Sequence, residues 1–489
     1  MLDQSFSPEN FKIIFHIENR KGNIDRTTHL TEKYINCVLQ EKSKKELLKE
    51  KKKDYKDLII SKDEYNSFKD EINEKIKEIR ENKDKELIRQ LQEISKNVNN
   101  KDFSIKLTSE ETDYNKHIYK TDTTLETFYS IKQLQYNIRK IFKVKQSDRY
   151  TILKQIKILL NDKFPKYIIR TDIKSFYESI PHNLLLKKID DNNLLSYRSK
   201  QLIFDIINEY ESVKDKSIYS TTKGIPRGIG ISAYLSELYM RDIDSKIKSI
   251  PNVIFYSRYV DDIFIIIAPD LHTDTSLDII GYWNEIEKVY KDADLILAPR
   301  NIVNSKTKLL SLLKESDLQG LNCEFDYLGY KLLFTEIIDK KDKNKYKISF
   351  KLSENKKWKI ENRLEKAVNH YNDRSKYNQR QARKEFYDCL KFLTGNTNLI
   401  NSKKGIKVGI YYSNSLLDED GEAELNDFDS LMNKLVDTKL SPYIKLNVDK
   451  ARMKKYIQCN FSFFNGYTEK RFHKFSVDEF RHLRKIWQE

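Results

Sequence analysis

The spacing of hydrophobic residues changes along the chain. From Glu41 to Asn100, Leu and Ile recur at three- and four-residue intervals among Lys and Glu, without any Gly or Pro. This period places apolar side chains on one face of a helix and predicts two long amphipathic helices, paired antiparallel with a turn near residues 61–67. Because both signs of charge are interleaved, the pattern is equally typical of a solvated extension without a nucleic-acid role.

Helical spacing continues from residue 101 to about residue 165, so this stretch is expected to be mostly helical. Short runs of β-branched and aromatic residues then begin, at Tyr167–Thr171, Ile254–Tyr259 and Ile263–Ile267. Runs of this length separated by helical stretches predict strands in an α+β unit. After residue 336 the spacing is again largely helical.

Three aspartates lie at the ends of these apolar runs. Asp261 and Asp262 stand between two of the runs, which predicts a tight hairpin with carboxylates at its tip. Asp172 follows the Tyr167–Thr171 run, so a third carboxylate is expected beside them. Carboxylates at strand ends suit Mg²⁺, and two ions held together serve phosphoryl transfer.

Composition narrows the class of protein. At 489 residues the chain is long enough for several domains, and with 39% hydrophobic residues it can bury large cores. Lys and Arg exceed Asp and Glu, for a net charge of +16, which favours nucleic acid as the partner. No apolar run approaches the ~20 residues that span a bilayer, so no membrane partner is expected.

Cysteine and histidine positions do not indicate a metal site or a disulfide framework. The four cysteines occur singly, and none of the eight histidines falls in a metal-ligand spacing. A reducing cytoplasm is therefore the expected setting.

Five segments resemble, in order, the sequence motifs A to E of reverse transcriptases. The resemblance implies a right-hand polymerase, with fingers and palm over residues 101–336, a helical thumb and C-terminal region over 337–489, and a charged helical extension over 1–100. The segments are DIKSFYESIPHNLL from Asp172, GIPRGIGISAYLSELYM (Gly224–Met240), YVDD (Tyr259–Asp262), LILAPRNIVNSKTKLL (Leu295–Leu310) and FDYLGYKL (Phe325–Leu332).

The resemblance also implies roles for the acids. Asp172 and Asp261 would bind two Mg²⁺ ions together with the Ile173 carbonyl, with Mn²⁺ as a substitute, and Asp262 would support them. Lys306 is a candidate general acid for the departing pyrophosphate. The alternative for Lys306 is a solvated lysine.

Further residues would contact the nucleotide and the primer. Tyr177 falls at the steric gate that excludes a ribose 2′-hydroxyl, unless it is a core aromatic. Gly228 would let the nucleotide approach the motif B backbone closely. Arg227 precedes it, at a position where most of the family has Gln; Arg227 would read guanine, or instead contact a triphosphate or a neighbouring carboxylate. Candidates for binding the triphosphate, with plain surface charge as the alternative, are Lys145 and Arg149; Leu328 and Gly329 correspond to the primer grip.

Within the family, three segments resemble bacterial antiphage enzymes of the abortive-infection and defence-associated groups, and most of all the second polymerase of type 3 systems. This resemblance implies RNA-directed DNA synthesis from dNTPs, a noncoding RNA partner, and a second polymerase subunit or self-association. The alternatives are a template-independent or unconventionally templated DNA polymerase, a non-catalytic RNA-binding scaffold, and a growth-arrest effector acting through residues after 336. The segments are RGIGISAYLSELYM, FYESI and Phe392–Leu417.

Overall fold

The computed structural model describes residues 2–25, 27–111, 117–145, 147–216, 222–270, 277–300, 302, 305–337, 346–399, 405–440 and 447–488. The helices are α1 Pro8–Lys21, α2 Glu32–Lys56, α3 Lys62–Val98, α4 Leu125–Phe142, α5 Arg149–Asn161, α6 Phe176–Ser179, α7 His182–Asp190, α8 Tyr197–Val213, α9 Ser232–Lys248, α10 Ile279–Asp292, α11 Glu315–Leu318, α12 Glu354–Ser375, α13 Gln379–Thr394, α14 Glu419–Ala423, α15 Leu425–Lys439, α16 Asn447–Asn460, α17 Phe463–Thr468 and α18 Val477–Gln488. The strands are β1 Leu107–Glu111, β2 His117–Thr121, β3 Lys166–Asp172, β4 Val253–Tyr259, β5 Asp262–Ile267, β6 Lys308–Leu312, β7 Asn322–Tyr327, β8 Tyr330–Glu336, β9 Tyr346–Leu352, β10 Asn396–Asn398 and β11 Lys407–Gly409.

The chain forms two compact units. The first unit contains Met1–Gln146 and Tyr177–Arg241, and the second contains Ser147–Phe176 and Asp242–Glu489. The mixture of helices and strands agrees with the predicted α+β class. The predicted division into an extension, fingers with palm, and thumb stays a prediction. Among the described helices, none is both long enough and apolar enough to cross a lipid bilayer.

The first unit contains the predicted pair of long helices, α2 and α3. Ser61 begins α3 with a capping box, in which its side chain accepts from the Glu64 N–H while the Glu64 carboxylate accepts from the Ser61 N–H. Glu41 of α2 pairs with Arg80 and Lys83 of α3, at 2.9 and 2.5 Å. The predicted antiparallel pair is therefore confirmed, with its turn just before residue 62.

The expectation of a mostly helical stretch from residue 101 to 165 was wrong in part. Strands β1 and β2 form an antiparallel hairpin there, in which Leu107 lies opposite Thr121. Both strands are only five residues long. Such short segments of Thr, Ile and Tyr favour strands but do not extend far enough to show a period of two.

The second unit is built around an antiparallel sheet with the strand order β4-β5-β3-β6. Every residue of β3 is buried, and Ile263–Ile267 of β5 are fully shielded from solvent. A sheet covered on both faces needs apolar residues at every position, which explains the unbroken apolar runs. The three strands predicted from those runs are confirmed.

A second sheet, with the order β7-β8-β9, shares one hydrophobic core with the helices that follow it. This core joins Phe264 of the first sheet to Phe325 and Phe334 of the second, and these to Leu364 of α12 and Phe386 of α13. The region after residue 336 is largely helical, as expected, but it also contributes β9, which pairs with β8. The predicted boundary therefore falls between two paired strands.

Candidate active site

Strand β3 places Asp172 at the end of the buried sheet. Asp172 is the last residue of the strand and is only 9% exposed. It lies opposite Asp262 in the β3–β5 register. One residue later, the Ile173 N–H donates to the Asp261 carbonyl at 3.0 Å. The structure thus brings the backbone of all three predicted aspartates together.

The turn between β4 and β5 is strained. It consists of Val260 and Asp261, and Val260 has a φ of 61°, which a β-branched residue rarely adopts. Arg258 holds this turn by donating to the Val260 carbonyl at 2.9 Å, and its guanidinium also binds both carboxylate oxygens of Asp244 at 2.9 Å. Backbone strain held in place by the surrounding structure is typical of functional sites.

Two cations pair with two of the aspartates. Arg170 Nη2 donates to Asp262 Oδ1 at 2.8 Å, and Lys306 Nζ lies 2.7 Å from Asp172 Oδ2. Burial raises the pKa of Asp262, against the opposing charge of Arg170, and the negative charge of Asp261 raises it further. Burial alone would lower the pKa of Lys306, but its hydrogen bond to Asp172 raises it above the ordinary value.

Arg170 also joins the motif A strand to two other motifs. Its Nη1 donates to the Lys306 carbonyl of motif D at 2.9 Å, and its Nε donates to the Asp326 carbonyl of motif E at 3.1 Å. Because Arg170 also binds Asp262 of motif C, its buried guanidinium connects β3 to motifs C, D and E.

Residues 81–332, more than half of the chain, match the family model described as reverse transcriptase (RNA-dependent DNA polymerase). The chain belongs to the reverse transcriptase family. The right-hand polymerase fold follows from this membership. The sequence-based prediction of an RNA-directed DNA polymerase, which is a nucleotidyltransferase, is confirmed.

One solved structure to which this reverse transcriptase is similar is telomerase from Candida albicans in complex with the TWJ fragment of telomeric RNA. The identity is 12% and the TM-score is 0.29, over 72% of this chain and 53% of the telomerase chain. The chain thus spans about half the length of that telomerase, and a likeness this low carries no argument about the site. No curated protein matches the chain.

Reverse transcriptases generally use divalent metal ions and bind a nucleic-acid template and dNTPs. The oxygen donors here fit a hard cation, because Asp172 and Asp261 offer carboxylates beside the Ile173 main chain. The three aspartates are not yet as close together as metal ligands: no choice of one carboxylate oxygen from each gives three atoms that all lie within 4.8 Å of one another. Asp262, already bound to Arg170, fits a supporting position better than a ligand position.

In the first unit, the motif B residue Arg227 is bound to a carboxylate. Its Nε and Nη2 donate to the two carboxylate oxygens of Glu178, at 3.0 and 3.1 Å. The guanidinium carbon also lies 5.5 Å from the centroid of the Tyr177 ring. Tyr177 is half-buried, whereas Phe176 is buried, as expected of the core member of this pair.

Gly228 is required by a close approach within the first unit itself. Its φ is 108°, and a Cβ there would lie 2.6 Å from the Tyr119 carbonyl oxygen. The Tyr119 N–H in turn donates to the Arg227 carbonyl at 2.7 Å. The glycine therefore lets β2 pack directly against the motif B backbone.

The motif E turn consists of Leu328 and Gly329, which connect β7 to β8. Both have positive φ, 46° and 75°, the combination that a two-residue hairpin turn of type I′ needs. A Cβ on Gly329 would lie 2.9 Å from both Arg149 Nη2 and Lys356 Cε. A side chain there would displace the ends of both cations, and the positive φ also favours glycine.

Arg149 and Lys356 form a cation pair at this turn. Burial, together with the charge of Arg149, lowers the pKa of Lys356 to about 7. Arg149 Nη2 is shielded from solvent and makes no hydrogen bond, while Lys356 Nζ donates to Asn414 Oδ1 at 2.5 Å. Within the part of the chain that the structure describes, neither cation has a carboxylate partner. Arg149, expected at the triphosphate, thus lies beside the motif E turn; its predicted role stays a prediction.

Lys145 is exposed in the segment between α4 and α5, and its predicted role also stays a prediction.

Three residues that contribute to these sites were missed from the sequence. Arg170 could have been found, because a lone cation in an apolar run needs a buried partner. Glu178 and Lys356 gave no such signal, since their partners lie far away in the sequence.

Replacing Arg170 with Met should lower the free energy of unfolding by about 3 kcal/mol, because the half-buried Asp262 carboxylate loses its cation. Urea denaturation of Arg170→Met, Asp262→Asn and the double variant measures this coupling. The double variant should recover much of the loss. If it is as unstable as Arg170→Met alone, the ion pair is not what stabilises the sheet.

Proposed function

We propose that this reverse transcriptase extends DNA from dNTPs on an RNA template with two Mg²⁺ ions held by Asp172 and Asp261, and that it acts in bacterial antiviral defence in the cytoplasm. The observation that carries the catalytic part is the meeting of Asp172 with the strained Val260–Asp261 turn at the end of a buried sheet. A main-chain hydrogen bond holds the backbone next to Asp172 against that of Asp261, which keeps the two residues near enough to share cations.

When bound, the two ions would lower the pKa of the primer 3′-hydroxyl and neutralise charge on the departing pyrophosphate. Asp172 would exchange its contact with Lys306 for this role. Lys306, released from Asp172, would then be free to donate a proton to pyrophosphate, as the motif D resemblance suggests. Asp262 would keep the hairpin in place through Arg170.

Tyr177 is proposed as the sugar gate, with Arg227 and Glu178 as its support. The Nε–Nη2 edge of the Arg227 guanidinium is occupied by Glu178, which favours the neighbouring-carboxylate alternative over the reading of guanine. The guanidinium over the Tyr177 ring would then fix the orientation of the ring.

The Arg149–Lys356 pair is proposed to bind primer phosphates at the turn that corresponds to the primer grip. Two adjacent cations repel each other and lack a carboxylate among the described residues, so an anion would relieve both. Phosphate contacts fix the register of a strand without reading its sequence.

The defence role rests on the resemblance of motif B, the FYESI segment and residues 392–417 to antiphage reverse transcriptases. The same resemblance supports a noncoding RNA partner, and either a second polymerase subunit or self-association, as parts of the proposal.

Asp261→Asn should reduce dNTP incorporation on an RNA template by on the order of 10³-fold, because several kcal/mol of transition-state charge stabilisation depends on the ligands of the ions. Primer extension measures this loss. Asp292→Asn, which neutralises an exposed acid near the end of α10, is the matched control and should retain activity.

The same pair of variants tests the defence role in a bacterial host that carries the gene with its native neighbours. Phage plaque counts should rise with Asp261→Asn and not with Asp292→Asn. If Asp261→Asn still incorporates dNTPs at the wild-type rate, the polymerase mechanism is wrong. If only the plaque counts stay at the wild-type level, the defence role alone is wrong.

Tyr177→Ala should increase rNTP incorporation relative to dNTP by roughly tenfold or more, because a lost steric contact changes discrimination by ~1–3 kcal/mol. Single-nucleotide incorporation kinetics with matched dNTP and rNTP measure the ratio. Tyr177→Phe is the control, since it keeps the ring. A ratio that stays the same in Tyr177→Ala would show that the ring only packs.

Lys356→Met should weaken primer–template binding and reduce the slope of log affinity against log salt by about 1, because one phosphate contact is lost. Since the pKa of Lys356 is lowered to about 7, its charge in the free protein decreases as pH rises through that value. Wild-type affinity should therefore fall between about pH 6 and pH 8 more than that of Lys356→Met. Equal salt slopes and equal pH profiles would place the primer elsewhere.

A further inference from the structure

Side chains from three helices of the second unit meet, with two histidines, one on either side of one carboxylate. Glu385 of α13 lies between His370 of α12 and His482 of α18. His370 Nε2 is 2.8 Å from Glu385 Oε2, and His482 Nε2 is 3.1 Å from Oε1. One ligand atom of each residue lies within 4.8 Å of the other two, and no other His, Cys, Asp and Glu group in the described residues meets this condition.

The carboxylate at the centre is buried and charged. Glu385 is only 4% exposed. Burial alone would raise its pKa, but hydrogen bonds from His370 and Gln381 and the proximity of His482 bring the pKa below its ordinary value. An ionised carboxylate removed from water requires a cation or several donors near it.

One of the two imidazoles is not satisfied by this arrangement. His482 Nε2 is shielded from solvent and lies 3.1 Å from Glu385 Oε1, but the contact lacks the geometry of a good hydrogen bond. A shielded ring nitrogen with a poorly aligned partner costs free energy, and such atoms can mark the site of an ion or water. A cation between the two residues would satisfy both atoms.

We propose that His370, Glu385 and His482 bind a Zn²⁺ ion, separate from the cations expected at the catalytic aspartates, with water as the fourth ligand. Two imidazoles and one carboxylate are a donor set that zinc uses, whereas Mg²⁺ selects oxygen ligands. Tetrahedral ligands at ~2.1 Å from zinc stand ~3.4 Å apart. The present separations of 2.8 and 3.1 Å need to widen by only a few tenths of an ångström.

The ion would fasten the last helix to the α12–α13 pair. Otherwise α18 is held by its buried Leu483 and Ile486 and by the Lys366 Nζ hydrogen bond to the Trp487 carbonyl, at 3.2 Å. The ligands lie far apart in the sequence, so no local spacing could reveal the site. The role of the ion would be structural: it would bind the folded state and not the unfolded chain, and would therefore stabilise the fold.

The test uses the full-length protein, stripped of metal with a chelator and titrated with Zn²⁺ alone in buffer with excess Mg²⁺. Wild type should bind a single equivalent by calorimetry, unfold at a higher temperature with Zn²⁺, and give visible ligand-field absorption with Co²⁺. His370→Gln/His482→Gln should lose all three responses. Asp261→Asn, which alters the catalytic aspartates, and His117→Gln, which removes a histidine of β2, should keep them.

Several outcomes would overturn the proposal. Wild type that binds no Zn²⁺ at micromolar concentration, or a double variant that keeps the equivalent and the Co²⁺ spectrum, would show that the cluster is only an ion pair. A loss of binding in Asp261→Asn instead would place the zinc at the catalytic aspartates. Should the double variant misfold by circular dichroism, Glu385→Gln and the single variant His482→Gln provide the same readouts.

Discussion

The guanidinium of Arg170 is the interaction on which the rest of the candidate site depends. It is a buried cation in a central strand, and it binds the carboxylate of the hairpin and two main-chain carbonyls from segments distant in sequence. Without Arg170, each of these partly buried acceptors would lose its donor from β3. The guanidinium is planar, and its five N–H donors point in fixed directions. Its acceptors are therefore also fixed relative to β3.

The backbone around this charge is less relaxed than the sheet beneath it. Val260 and Leu328 both adopt positive φ, although neither is glycine, and each sits in a two-residue turn at the end of a well-packed hairpin. The packed strands provide the free energy that keeps these residues in unfavourable conformations. A turn that cannot relax presents its atoms to a ligand in one geometry. Less conformational entropy is then lost when the ligand binds.

Sequence reasoning succeeded where one chemical pattern recurs locally. Unbroken apolar runs predicted the central strands, the acids between two runs predicted the hairpin with Asp261, and Leu/Ile spacing predicted the α2–α3 pair. It failed where the decisive partner lies elsewhere in the chain. The carboxylate that binds Arg227 and the cation beside Gly329 depend on tertiary contacts, which no local period reports. The β1–β2 hairpin was missed for a different reason, because its strands are too short to show a period of two.

The order of the strands has a consequence for synthesis on the ribosome. Strand β3 pairs on one side with β5 and on the other with β6, which begins about 140 residues after β3. At a translation rate of ~5–20 residues per second, the nascent chain carries an apolar strand with an open edge for roughly ten to thirty seconds. During that interval an unpaired edge is a template for association with other chains. The time for which this strand needs protection in the cell is therefore set by the length of chain between β3 and β6, which contains motifs B and C.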